Sequence, residues 1–262
     1  MKRSFRSFWF LAGAMVLLLC WASGAFATDF AITGWSGQLW GEYTSPYTTN
    51  NPAVGSIACD DFGDYSYLNQ MNTYQQASAS SLMDPKSGVS GVWGSGSNYE
   101  VAAYLALQIF HSSGNMLMQE YYNWALWAYF DQTNALTKMN SSGVDKAGCE
   151  AIFGTGAWNG SCSYQAIKGC GTQYGLIGCA EQNAAAAYAS GAFDNMVVYT
   201  PMGKNDPNSP CGQGGQYQCQ SQEFFGLVPD GGSALAYLGL VALACLGAAY
   251  YSRRNPAFQK AL

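Results

Sequence analysis

Cys59 is the most pointed chemical feature of this chain. It stands in Ile57-Ala58-Cys59-Asp60-Asp61-Phe62, far upstream of the next cysteine, Cys149. An isolated cysteine invites a covalent role, because a thiolate is a strong nucleophile wherever its surroundings let it form. The other six outside the two ends of the chain, Cys149, Cys162, Cys170, Cys179, Cys211 and Cys219, crowd into a Gly-rich stretch. Their simplest arrangement is local: Cys149 with Cys162, Cys170 with Cys179, Cys211 with Cys219. It is one of many connectivities open to six cysteines. A zinc site is the rival reading, but there is no Cys-x-x-Cys and the single histidine, His111, is distant in sequence. No metal and no cofactor are expected.

Other residues with chemical potential are less distinctive. Glu100 and Glu120 could form a glycosidase pair, although sixteen acidic residues make some such pair easy to find. His111 lacks a nucleophile motif beside it, with neither Gly-x-Ser-x-Gly nor His-Glu-x-x-His present, and is expected to face solvent at a helix C-terminus. Asp60, Asp61 and Asp64 could gather around calcium, yet their spacing is not that of an EF-hand loop, so a solvated turn is expected. Tyr and Trp are abundant and could line a face for a surface polysaccharide; those at helical spacing read as core. Taken together these residues point away from an enzyme.

The elements that must position these groups read as an α+β domain. From Asp29 to Ile57, Gly and aromatic residues alternate between turn signals, which predicts short strands. Ile57 to Phe62 reads as a strand leading to a turn, and Gln75 to Asn98 as a Gly/Ser-rich loop. Tyr99 to Phe110 reads as a nearly all-apolar helix with Asn98 as N-cap, and Met116 to Phe130 as a second helix packed antiparallel to it. Lys146 to Phe153 and Glu181 to Ser190 read as shorter helices. Asn195 to Thr200 and Glu223 to Leu227 read as strands. Strands from both ends would therefore pair around a helical middle.

The two ends of the chain have a different character. Lys2, Arg3 and Arg6 precede an apolar stretch from Phe8 to Trp21, and Ala25-Phe26-Ala27 offers small residues for cleavage, so 1–27 reads as a secretory signal peptide. Cys20 follows Leu19, which argues against lipidation. At the far end, Ala234 to Tyr251 is an uncharged run of 18 residues, roughly 27 Å as a helix and long enough to nearly cross a bilayer core. Arg253-Arg254 then supplies cytoplasmic-side charge, so the bulk of the chain would lie on the opposite side. The residues between the ends, from Asp29 to Asp230, carry five lysines, no arginine and a net charge of −11. Such a domain is a poor partner for nucleic acid.

Val228-Pro229-Asp230-Gly231-Gly232, the small-residue-rich apolar run and Arg253-Arg254 together resemble the PEP-CTERM sorting signal. The resemblance covers Val228 to Arg254, within a tail of 228–262. It implies recognition by an exosortase-type processing enzyme, transient membrane anchoring through 234–251, and delivery to the cell surface or extracellular matrix. The motif here has Val-Pro-Asp-Gly-Gly where the family commonly has Val-Pro-Glu-Pro.

A second resemblance concerns 28–227. The order Cys59-Asp60-Asp61-Phe62, Tyr99 to Leu107, then Asn123-Trp124-Ala125-Leu126-Trp127 is similar to the framework of surface thioester domains. There a cysteine joins a glutamine to form an internal electrophile that captures amines. Asn123 stands here at the glutamine position, one methylene shorter. The expectation is an exported protein with a structural or adhesive role, with a Cys59 covalent adhesin and a secreted carbohydrate-binding protein or hydrolase as alternatives.

Overall fold

The computed structural model describes residues 26–60, 62, 68–165, 167–202 and 222–228. Most of the tail lies outside these, as do Cys211 and Cys219, Asp61 and Asp64. Of the sorting motif only Val228 is described. No helix among the described residues is long and apolar enough to cross a membrane.

Among the described residues seven strands form one antiparallel sheet: β1 (Phe26–Phe30), β2 (Ile32–Leu39), β3 (Glu42–Thr49), β4 (Ser56–Cys59), β5 (Asn72–Ser78), β6 (Met196–Pro201) and β7 (Phe224–Leu227). Their spatial order is β1-β5-β6-β7-β4-β3-β2. The two edge strands are thus consecutive in the chain, separated only by Ala31. One segment bends at Ala31 and serves both edges, so the sheet must curl. Asn50 fixes the bend: its side chain accepts from the Ala31 N–H at 2.8 Å and its own N–H donates to the Ala31 carbonyl at 3.1 Å. Inside the curl, Phe30 stacks on Tyr74 at 4.2 Å and meets Tyr199 and Phe224 edge-on, while Tyr47 reaches Phe224 from the other side.

Among the described residues six helices lie between β5 and β6: α1 (Ala79–Met83), α2 (Ser97–His111), α3 (Met116–Phe130), α4 (Gln132–Ser141), α5 (Lys146–Phe153) and α6 (Gly175–Ala189). The α2–α3 pair is antiparallel, with Gln119 donating to the Ile109 carbonyl at 3.1 Å near the turn and Tyr129 meeting Asn98 at 3.5 Å at the open end. Its buried residues include Ala102, Leu105, Ala106 and Ile109 from α2 and Trp124, Ala125 and Ala128 from α3. Alternation of small and large side chains lets these helices approach closely. Trp124 gathers Trp40, Phe62 and Trp127 within 5.3 Å between ring centres. Gly148 makes room for the same cluster, since a Cβ there would stand 2.4 Å from the Trp40 ring.

The mixed α and β composition with terminal strands pairing in one sheet agrees with the sequence expectation. Three local readings need correction. Residues 75–98 are not one loop: Tyr74 is buried in β5, the Ser78 side chain caps α1, and Gly96 N-caps α2, with Asn98 already inside the helix. Helix α4 went unread because only Ala135 and Met139 of its ten residues are buried. Helix α6 begins at Gly175, well before Glu181. Gly175 has φ +66 and its Cα faces the backbone of Ile152 and Gly154, where a Cβ would come within 2.4 Å of both.

Among the described residues two disulfides staple the helical edge, Cys149–Cys162 and Cys170–Cys179. The first is buried and joins α5 to the following loop, where Asn140 of α4 also clamps Cys162 through both its N–H and its carbonyl. The second ties the start of α6 to the loop before it. Each closes a short loop with little apolar area of its own.

Candidate functional site

The residues of most chemical interest lie at the end of β4, where Cys59 and Asp60 leave the sheet side by side. Strand β3 pairs with β4 only at Tyr47–Ile57 and Thr48–Ser56. Beyond those pairs the strands part, and side chains take over the ladder. Ser45 accepts from the Cys59 N–H through its hydroxyl at 2.8 Å. Asn123, reaching in from α3, accepts from the Ser45 N–H at 2.6 Å and donates to the Cys59 carbonyl at 3.0 Å. A carboxamide has the same donor and acceptor as a peptide group, so Asn123 acts as a rung where the backbones of the two strands have parted.

This geometry decides what Cys59 and Asn123 do to one another. They are neighbours, but the Asn123 amide is directed at the Cys59 backbone. Cys59 is buried and belongs to neither disulfide; its thiol lies close enough to Tyr47 for a charge on one to oppose ionisation of the other. Burial, then that neighbour and Glu42, hold the Tyr47 hydroxyl well above its ordinary pKa.

Asp60 overturns the expectation of a solvated turn, because it is 0% exposed. Antiparallel register places Cys59 opposite Phe224 and Phe224 opposite Tyr199. Asp60, Glu223 and Thr200 are therefore the next row across β4, β7 and β6, and the Asp60 N–H extends the ladder to the Glu223 carbonyl at 3.3 Å. Glu223 is also buried. One of its carboxyl oxygens accepts from Tyr99 of α2; the other accepts from Thr200 at 2.5 Å and from the Val92 N–H at 2.9 Å. Burial pushes the Glu223 carboxyl above the usual range, against the lowering effect of these hydrogen bonds from Thr200, Tyr99 and Val92. Burial likewise raises Tyr99, helped by the charges of Glu223 and Asp60.

The remaining sequence candidates fall elsewhere. His111 is the exposed last residue of α2. Glu120 is buried beneath Gly37, whose Cβ would stand 2.2 Å from the carboxylate; desolvation raises its carboxyl and the Gln38 backbone N–H opposes the rise. Glu100 lies at the other end of the helix pair. Since Asn98 meets Tyr129, Glu100 stands level with about Trp127, so the two positions lie roughly 10.5 Å apart along the helix axis and on different helices, beyond the range of about 5 to 9.5 Å that glycoside hydrolysis uses. No group of three or more His, Cys, Asp or Glu that could hold a metal occurs among the described residues. Sequence reasoning missed the Asp60–Glu223 pair. The one available signal was that each carboxylate adjoins an apolar strand segment.

Asn123→Ala is expected to destabilise the protein by about 2 to 5 kcal/mol, since it leaves both the Ser45 N–H and the Cys59 carbonyl buried without partners. Asn123→Asp should also destabilise it, because a carboxylate keeps one bond and loses the other while burying charge. Urea unfolding of the variants measures both losses.

No family model, curated protein or solved structure matches the chain, so the meaning of this site has to be drawn from its own geometry.

Proposed function

We propose that this is an exported protein of the cell surface or extracellular matrix, sorted through its Val228–Arg254 tail by an exosortase-type enzyme, with a structural or adhesive role and no catalysis. The observation that carries export is the disulfide pair Cys149–Cys162 and Cys170–Cys179, since such bonds persist in oxidising compartments. The apolar ends of the sequence and the acidic, arginine-free residues between them fit the same destination. Deletion of Val228 to Arg254 should release the protein from the envelope fraction; unchanged retention would remove the sorting proposal.

An adhesive role needs a surface, and the β2–β3 hairpin offers one. Trp35 and Tyr43 lie 37% and 47% exposed with their ring centres 3.9 Å apart. Exposed Thr33, Gln38 and Thr48 lie on the same two strands. Aromatic rings flanked by uncharged hydrogen-bonding groups suit a neutral polysaccharide, whose C–H faces stack on them. Trp35→Ala with Tyr43→Ala should weaken retention on an immobilised neutral matrix polysaccharide without changing the melting temperature; equal retention would leave the hairpin without this role.

The covalent alternative centres on Cys59. Its support is the adjacency of Cys59 and Asn123, and against it stands the commitment of the Asn123 amide to two backbone bonds. An unreactive relative of the thioester framework is the better fit. The intact mass of the exported, disulfide-bonded chain should show no loss of ammonia, and methylamine should add nothing. A mass lower by one ammonia, abolished by Cys59→Ala, would reinstate the covalent adhesin. A hydrolase using Glu100 and Glu120 together is disfavoured by their separation.

A further inference from the structure

The two disulfides among the described residues differ in what surrounds their sulfurs. Cys149 is 0% and Cys162 4% exposed, and Asn140 clamps the backbone of Cys162 from α4. Cys170, by contrast, is exposed, and Cys179 in the second turn of α6 is half-buried. A thiol arriving from solvent can therefore reach Cys170 but neither sulfur of the inner pair.

One further side chain attends the outer bond. Asn183, one turn along α6 from Cys179, directs its amide nitrogen at both sulfurs, 2.8 Å from Cys170 Sγ and 3.3 Å from Cys179 Sγ, and donates to the Cys179 carbonyl at 3.1 Å. Sulfur in a disulfide is a weak acceptor, whereas an ionised acceptor binds a donor about twice as strongly as a neutral one. The donor thus stands where it gains most when the bond opens.

The loop before α6 has supports besides the disulfide. The Gly169 N–H donates to the Gly178 carbonyl at 3.1 Å, the Tyr174 N–H to the Gly171 carbonyl at 3.0 Å, and the Thr155 hydroxyl to the Thr172 carbonyl at 3.3 Å. Gly178 lets the Ile167 carbonyl close in, since a Cβ there would stand 2.2 Å from it. With the disulfide open, these contacts keep the two sulfurs near one another.

We propose that Cys170–Cys179 is an exchange site that takes up an external thiol on Cys170. A thiolate attacks Cys170 Sγ, a new sulfur–sulfur bond forms there, and the Cys170–Cys179 bond breaks. The electron pair leaves with Cys179 as a thiolate, which Asn183 stabilises. The attacking sulfur is oxidised and Cys179 reduced, so the exchange needs no other oxidant. Access decides which sulfur is attacked, and a stabilised leaving thiolate departs faster. Held beside the product, the Cys179 thiolate can attack in turn and restore the original bond, so the attachment is reversible.

The test uses the folded, disulfide-bonded protein and reduced glutathione at about pH 8.5, where roughly half of an ordinary thiol is ionised. Rapid alkylation and peptide mass mapping should find glutathione on Cys170, the alkyl group on Cys179, and Cys149–Cys162 opening at least about tenfold more slowly. Asn183→Leu removes the donor and should slow the outer opening by about fivefold, the loss expected for one charge-assisted hydrogen bond, with no change at the inner pair. Cys179→Ser, given oxidised glutathione, should retain the adduct on Cys170, because no thiolate remains to expel it. A reduced single-cysteine protein run in parallel separates the sources: adducts with glutathione alone assign the site to small thiols, and adducts with both extend it to protein thiols. Should Cys179→Ser fail to fold, the unsubstituted protein and Asn183→Leu carry the comparison. Equal opening of the two disulfides, an adduct on Cys179 in place of Cys170, or unchanged opening in Asn183→Leu overturns the proposal.

Discussion

One segment of chain supplies both edges of the sheet, and most of the architecture follows from that constraint. Because β1 and β2 are separated only by Ala31 yet stand at opposite ends of the strand order, the sheet has to curl, and its concave side has to be filled. Phe30, Tyr47, Tyr74, Tyr199 and Phe224 fill it. Their hydroxyls and rings suit a narrow interior, where aromatic edges pack at close range. The convex side is left for the helices, with Phe225 meeting Tyr99 of α2. Curling also strains the pairing of neighbouring strands, and the split between β3 and β4 is where the ladder gives way.

At that split the protein substitutes side chains for backbone. Asn123 and Ser45 restore the lost bonds, so the helix pair and the sheet become one cooperative unit through a polar contact in a mostly apolar core. Such a contact specifies register, since sliding α3 by one residue would offer Trp124 or Tyr122 to the Cys59 carbonyl. A buried amide that is fully satisfied rigidifies its surroundings, and a half-satisfied one is costly. The same reasoning explains why Asn suits this position: its carboxamide reaches the backbone of both strands from the helix without a further methylene.

How much of this was legible in the sequence depends on whether the information is local. Helices α2, α3 and α5 announced themselves through composition and apolar spacing, and β6 and β7 through short apolar runs closed by turn residues. Strand β5 did not, because Asn72-Thr73-Tyr74-Gln75-Gln76 is polar and buries only Tyr74. Its place between β1 and β6 is set by partners remote in the chain. Helix α4 is amphipathic over too few residues, although Asp131 accepting from the Asn134 N–H was a cap visible in principle. Asp60 was read as solvated because carboxylates usually are. It lies beside Glu223, 163 residues away, and no spacing rule connects the two. Residue types gave the candidates at the site, while topology determined which of them meet.

The last described strand has a mechanical meaning. Strand β7 lies inside the sheet between β4 and β6, and Val228 just beyond it still donates to the Asn195 carbonyl at 2.9 Å. Tension arriving through the residues that follow would therefore enter the fold along an interior strand bonded on both sides. It would load those bonds in parallel, in shear, rather than peel them one after another from a border. A molecule tethered by its C-terminus would resist pulling at the point where it is attached.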